Sequence, residues 1–293
     1  MNQYTQEVLS QPDSWRHGAE VAVQAAGLLP KPGMRVALVG CGTSFYVSQA
    51  VASYREARGL GETDAFAASE MPMDRHYDLL IAISRSGTTT EVLDVLRASR
   101  ANAPVLAITA VSDGPLGGLV EDQIVLDWAD ERSIVQTRFA TTVLAILLSH
   151  CGWDVEASAQ RAAAYLGAPL PHALEAVNHF VFLGRGFAAA IASEAALKLR
   201  ETLGAWTEAY PTREFRHGPI SAVNSHSMVW MLDNEEPSID ASIEATGAHL
   251  VRGDGDPLAE LVRIHLAAGH LADQAHMDPG APRHLTRSIV LEN

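Results

Sequence analysis

Two short apolar runs that end in the same way constrain the fold of this chain more than any other feature. Ala37-Leu38-Val39-Gly40-Cys41-Gly42 and Phe180-Val181-Phe182-Leu183-Gly184-Arg185-Gly186 each read as a buried strand that breaks into Gly-x-Gly and runs on into a helix. One copy in each half of the 293 residues describes a duplicated unit. Around the first copy, strand-like runs at 35–39, 79–83, 105–109 and 123–126 alternate with helical stretches at 44–58, 90–99 and 137–148. That alternation implies a parallel sheet covered on both faces. After the second copy come a strand at 228–232, a looser segment at 253–257 and a helix over 258–272. The expected architecture is α/β: two tandem units, each a mostly parallel sheet flanked by helices in a flavodoxin-like α-β-α sandwich. A polar opening breaks at Pro12 and again at Pro30 and Pro32, and the small-residue stretch from Cys151 to Pro171 sets the boundary, giving units 1–155 and 156–293. The tail Pro282-Arg283-His284-Leu285-Thr286-Arg287-Ser288 is too polar to be core.

Composition narrows the function classes. With 47% hydrophobic and 19% charged residues the chain suits compact globular structure. A formal net charge of −14 argues against nucleic acid as the main ligand, so an anionic substrate needs a local site. Cys41 and Cys151 are too few for a disulfide framework or a thiolate metal centre, which fits a reducing, cytoplasmic setting. No apolar run approaches a membrane span, and the N-terminus lacks the basic and apolar regions of a secretion signal, so neither membrane insertion nor export is expected.

Two strand-to-helix turns offer unpaired backbone N–H groups and a helix dipole to an anion: Gly42-Thr43-Ser44 and Ser84-Arg85-Ser86-Gly87-Thr88-Thr89. The second crowds hydroxyls, a glycine and an arginine into six residues. Local sequence alone equally allows a hydroxyl-rich helix start there. Gly40-Cys41-Gly42-Thr43-Ser44-Phe45 lacks the third glycine of a dinucleotide fingerprint, so no nicotinamide cofactor is expected. Farther on, Glu194, Lys198 and Glu201 fall at i, i+4 and i+7 on one helical stripe. Such a stripe is commonly a solvated, salt-bridged face. Lys31 and Lys198 are nevertheless the only lysines in a chain that otherwise uses arginine, which singles out the compact, titratable ammonium of Lys198. Glu208-Ala209-Tyr210 and Glu214-Phe215-Arg216-His217-Gly218-Pro219 bring carboxylates and a histidine into a loop, where His217 is either a surface residue or a proton donor.

Taken in order, these pieces resemble the sugar isomerase (SIS) domain family in its double form, as in the isomerase half of glucosamine-6-phosphate synthases. The carriers are Gly42-Thr43-Ser44, Ala68-Ser69-Glu70, Ser84 to Thr89, Glu131 to Thr137, Leu183 to Gly186, Glu194 to Glu201, Glu208 to Tyr210, His217-Gly218-Pro219 and Pro282-Arg283, spread over about Arg35 to Glu292. The resemblance implies that Ser44, Ser84, Ser86 and Thr89 hold a sugar phosphate. It further implies that Glu201 carries a proton between C1 and C2, that His217 assists ring opening, and that Lys198 stands close to the base. Gly42, Thr43, Arg85, Glu131, Gln136 and Arg287 complete the implied substrate-binding set. Abstracting a carbon-bound proton beside a carbonyl calls for a carboxylate kept from bulk water, and opening a sugar ring calls for a separate acid/base. A homodimer with shared active sites, and no metal or cofactor, also follow from the resemblance.

Three departures redirect the expectation. Arg287 stands at the position of a lysine able to form a sugar imine, Arg85 replaces a glutamine and Gln136 a serine. Because the chain begins Met1-Asn2 rather than with a nucleophilic cysteine after the initiator, glutamine hydrolysis is not expected of it. The leading expectation is a phosphosugar aldose–ketose isomerase. Its rivals are an amino-sugar-phosphate deaminase and a sugar-phosphate-binding regulator without turnover.

Overall fold

A computed structural model of the chain describes residues 2–99, 103–234 and 236–291. Glu292, the far end of the span that carries the resemblance, lies outside them. In chain order the elements are α1 (Gln3–Leu9), α2 (Gln11–Gln24), β1 (Val36–Gly40), α3 (Thr43–Ala57), β2 (Thr63–Ala67), β3 (Leu79–Ile83), α4 (Thr90–Ser99), β4 (Val105–Thr109), β5 (Asp122–Val125) and α5 (Arg138–His150). There follow α6 (Val155–Tyr165), β6 (His179–Gly184), α7 (Phe187–Leu203), β7 (Trp206–Pro211), β8 (Ser227–Met231), α8 (Asp240–Glu244), β9 (His249–Arg252) and α9 (Pro257–Gln274).

The chain forms two compact units whose bodies divide at residue 155, except that residues 132–135 belong to the C-terminal unit and both terminal segments change sides. Residues 2–12 belong to the C-terminal unit, where the Tyr4 hydroxyl donates to the His265 carbonyl at 3.1 Å and the buried Glu7 carboxylate accepts the Arg132 N–H at 2.7 Å. Residues 286–291 belong to the N-terminal unit, where the Thr90 N–H donates to the Ile289 carbonyl at 3.2 Å. A partition by chain order alone puts each of these segments in the other unit.

In the N-terminal unit five parallel strands run in the order β2-β1-β3-β4-β5. β1 and β3 are buried along their whole length, as central strands covered on both faces should be. Val39, Leu80, Ala82, Val92, Leu96 and Ala107 form part of the core beneath α4. In a doubly wound sheet of this order the chain switches direction between β1 and β3, and ligands bind beyond the carboxyl ends of those two strands.

The C-terminal unit repeats the plan with four parallel strands in the order β7-β6-β8-β9, the same crossover sequence without its last strand. The likeness extends to single residues. Gly42 and Gly186 take almost the same left-handed conformation, φ 53° and ψ −123° against φ 56° and ψ −127°. Two residues earlier, a Cβ on Gly40 would lie 2.6 Å from the Ser44 Cβ, and one on Gly184 would lie 2.4 Å from the Ala188 carbonyl carbon. Both strands therefore end in glycine because the next helix starts directly over them. Gly184→Ala is expected to cost about 1–3 kcal/mol through that overlap, read by urea unfolding, whereas Gly167→Ala, with nothing within 4 Å of the added methyl, should leave the midpoint where it is.

α7 ends at Gly204, whose αL conformation (φ 63°) lets its N–H reach the Arg200 carbonyl at 2.9 Å. α9 starts with Asp256, which accepts the Leu258 and Ala259 N–H groups at 3.1 Å each ahead of Pro257 in the first turn. No helix among the described residues is long and apolar enough to cross a membrane.

Candidate functional site

The Ser84–Thr89 loop leaves β3 at the switch point and turns directly into α4. Its backbone is pinned to the neighbouring strand end: the Ser84 N–H donates to the Ile108 carbonyl and the Ala110 N–H to the Arg85 carbonyl, both at 3.1 Å. Gly87, at φ 65°, supplies the left-handed turn and donates its N–H to Ser84 Oγ at 3.2 Å. Ser86 Oγ accepts the Thr88 N–H at 3.3 Å, and Ser84 Oγ lies 3.5 Å from Thr89 Oγ1. Across the switch point Gly42 and Thr43 form the turn that begins α3, with Ser44 in its first turn. Ser44, Ser84, Ser86, Thr89, Arg85, Gln136 and Arg287 line one small cavity, with Cys41 in its wall. Burial, and then the Glu91 carboxylate, push the Cys41 thiol upward, which keeps that wall uncharged.

Glu131 stands behind this cavity. Its carboxylate accepts the Thr137 and Arg138 N–H groups and the Thr137 hydroxyl, each at 2.7 Å, and the Phe139 N–H at 3.1 Å. It thus caps the N-terminus of α5 and lies 3.8 Å from Arg85, both side chains being almost fully buried. The guanidinium in the loop is therefore held by a partner rather than swinging in solvent. The Gln136 amide oxygen is buried without a hydrogen-bond partner among the described residues.

The tail lies across the same loop. Arg287 donates to the Glu131 carbonyl and the Asp130 carboxylate, Ser288 Oγ lies 2.8 Å from Thr88 Oγ1, and the Leu291 N–H donates to Thr90 Oγ1 at 2.9 Å. With the tail so placed the cavity measures about 30 Å³, room for a water molecule and too little for a phosphate ester. Sequence reasoning did not single out Thr88, Asp130 or Ser288. The signal was available in the tail's polarity, which fits a segment that bonds to a hydroxyl-rich loop.

The corresponding switch point of the C-terminal unit is closed differently. The Asp233 carboxylate accepts the Arg185 N–H at 2.8 Å, so a carboxylate of the chain itself occupies the place a ligand anion would take. The chemistry of this unit gathers on α7 instead. Lys198 has 0% of its side chain exposed, with Glu201 at 2.6 Å (20% exposed) and Glu194 at 3.4 Å (4%). A stripe that sequence alone allows as a solvated face is therefore an interior ion cluster. Burial alone would push the Lys198 ammonium down, but Glu194 and Glu201 outweigh it and hold the group above its ordinary value. Glu201, the most exposed of the three, is thus a carboxylate fixed by a buried cation and still reachable.

His217 closes a short 3-10 turn (Glu214–His217) anchored by the buried Phe215 and followed by Gly218 at φ 138°. It is exposed and makes no hydrogen bond to the Lys198 cluster. Glu208-Ala209-Tyr210 belongs to β7 rather than to a loop, and Glu208 bonds His179 Nε2 at 3.0 Å. No group of three or more His, Cys, Asp or Glu residues able to hold a metal occurs among the described residues.

Residues 173–246 match the model of the SIS domain family. The chain is 26% identical to the isomerizing glutamine–fructose-6-phosphate aminotransferase of Sulfurisphaera tokodaii over 88% of its own length and 50% of that protein's. It spans about half the length of the curated relatives it matches. In fold it is similar to a glucosamine-6-phosphate deaminase from Thermotoga maritima, with a TM-score of 0.86 and 24% identity over 99% of this chain and 100% of that one. It is also similar to the C-terminal domain of glucosamine-fructose-6-phosphate aminotransferase from Francisella tularensis, with a TM-score of 0.78 and 20% identity over 96% and 99%. The α/β fold with helix-flanked parallel sheets is thus the fold of these solved structures.

Proposed function

We propose that this chain is a phosphosugar aldose–ketose isomerase acting on a hexose or hexosamine 6-phosphate. The observation that carries the reading is the interior cluster on α7, in which a fully buried lysine holds Glu201 at 2.6 Å while leaving that carboxylate partly exposed. In this reading Glu201 takes the proton from C2 of the open-chain aldose as the C1 oxygen gains one. The resulting cis-enediol receives a proton at C1 and loses one from the C2 oxygen to give the ketose; the enolamine of a 2-amino sugar receives a proton at C1 and loses one from the C2 nitrogen to give the ketimine. Lys198 orients Glu201 through their 2.6 Å contact. His217 assists ring opening, and its exposure suits a histidine that serves the site of a second copy in a homodimer. Ser44, Ser84, Ser86 and Thr89 anchor the phosphate, with the tail first moving aside.

Incubating the protein with hexose and hexosamine 6-phosphates in heavy water, and following C1 and C2 by NMR, tests the reading. Exchange is expected with at least one of them. Thermal stabilisation by a sugar phosphate without any exchange would instead mark a binding protein. A deaminase uses the same first proton transfer and then loses ammonia from C2, and the deaminase aligned above matches along its whole length. An ammonia assay on the same samples separates that outcome. Ser84→Ala/Ser86→Ala should weaken binding of any phosphate ester by about tenfold or more, since hydrogen bonds to a charged group carry roughly 1.5–3 kcal/mol each. A KM unmoved in that variant would place the phosphate elsewhere.

A further inference from the structure

A second concave site lies in the C-terminal unit, apart from the α7 cluster. A cavity of about 330 Å³ is lined by His249, Leu250, Val251 and Arg252 together with His172 and Arg263. Side chains of a strand alternate between faces, so four consecutive residues reach one cavity only along the strand's edge. β9 is that edge: it pairs with β8 and, among the described residues, has no strand on its other side. Its outer backbone groups are thus available to a ligand.

The lining gathers two arginines and two histidines in a chain whose net charge is −14. No carboxylate lines the cavity among the described residues. Each arginine is fixed from one side. Arg252 is tied to the Asp240 carboxylate, through Nε at 2.8 Å and again through Nη2, and to the Glu236 carbonyl at 3.3 Å. Arg263 is tied to Glu260 at 3.0 Å and held 5.4 Å from both the Tyr165 and Trp230 ring centres. Among the described residues, Arg252 Nη1, Arg263 Nη2 and both imidazoles make no hydrogen bond, and Arg263 Nε is buried without a partner. The site therefore presents the unused N–H groups of Arg252 Nη1 and Arg263 Nη2, on side chains already held in place by their other contacts.

We propose that this cavity binds a compact dianion, a phosphate monoester by class, gripped by Arg252 and Arg263 and flanked by His172 and His249. Two guanidiniums with unused donors suit a doubly charged, many-acceptor group better than a single carboxylate, and the volume admits the body of a small ester. The proposal is independent of the isomerase reading, because the Ser84–Thr89 loop belongs to the other unit.

Inorganic phosphate titrated into the whole chain, with the imidazole C2–H resonances of His172 and His249 followed by NMR, tests it. Both should shift and saturate, and both shifts should persist in Ser84→Ala/Ser86→Ala, which weakens the loop site alone. In Arg252→Gln the apparent affinity should fall about tenfold. Because Arg252 also ties down Asp240, His249→Asn is the second variant: the residue is exposed, its loss should leave the unfolding midpoint unchanged, and the His172 shift should then need severalfold more phosphate. Absence of saturable shifts overturns the proposal, as does an equal response to chloride at matched ionic strength or a response lost only in the loop variant.

Discussion

Glu201→Gln is expected to abolish C1/C2 exchange, a loss of about 10²–10⁴-fold for removal of a general base, while phosphate-dependent binding stays nearly intact. The substitution keeps the shape of the side chain and leaves an amide oxygen that can still accept from Lys198. The buried ammonium also keeps Glu194 at 3.4 Å as its counter-charge, so the helix should not unfold. Binding is spared because the hydroxyls assigned to the phosphate stand on the Ser84–Thr89 loop of the other unit. Exchange rates and calorimetric binding measured on one preparation decide the matter. If binding falls in step with exchange, Glu201 contacts the ground-state sugar and is not the base; if exchange persists, the base is another group.

How much of this was readable in the sequence follows from where each residue is buried. β1, β3, β6 and β8 are central strands with every position buried, so an unbroken apolar run announces them. β2, β7 and β9, which sequence reasoning missed, are edge strands. Thr-Asp-Ala-Phe-Ala, Trp-Thr-Glu-Ala-Tyr-Pro and His-Leu-Val-Arg keep much of their surface toward solvent and carry polar residues that mimic loops. Gly-x-Gly after an apolar run was legible because the constraint is local: a helix starting over the strand end excludes a Cβ, and the left-handed turn excludes most side chains.

The site was legible in kind and not in arrangement. Hydroxyls packed before α4 announce an anion cradle, yet nothing nearby in sequence says that residues 286–291 cover it, because those bonds join positions some 200 residues apart. Glu131 illustrates the same limit. Its implied place in the binding set describes a residue whose carboxylate accepts four hydrogen bonds from the start of α5 and lies 3.8 Å from Arg85. Lys198 is the reverse case. Periodicity made its stripe a solvated face, and only the scarcity of lysine argued otherwise. The burial of Ala192, Ala196 and Leu199 on the same helix shows that α7 is enclosed on both stripes, which no single-helix periodicity can report.

Lys198→Met should produce the largest loss of stability of any substitution considered, about 3–5 kcal/mol, the range for removing one partner of a buried ion pair. Methionine matches the length and much of the volume of the lysine stem, so little of the loss is a cavity. It comes from Glu194, 4% exposed, left without its cation beside Glu201. The sign with pH distinguishes this cause from poor packing. In the native chain the Lys198 ammonium is raised above its ordinary value once folded, so its stabilisation is fully present below the unfolded lysine value and lost only as pH rises through the folded one. Around neutrality it adds no slope. In the variant the charge that Lys198 balanced is removed as carboxylates protonate, so the deficit should shrink as pH is lowered into the carboxylate range, where a packing defect would stay constant. Adding Glu194→Gln to Lys198→Met should recover part of the loss at neutral pH. Urea unfolding of the native chain and both variants across the pH range reads the effect, and a pH-independent deficit below about 1 kcal/mol would mean that water reaches the cluster and that Lys198 is an ordinary surface ion pair.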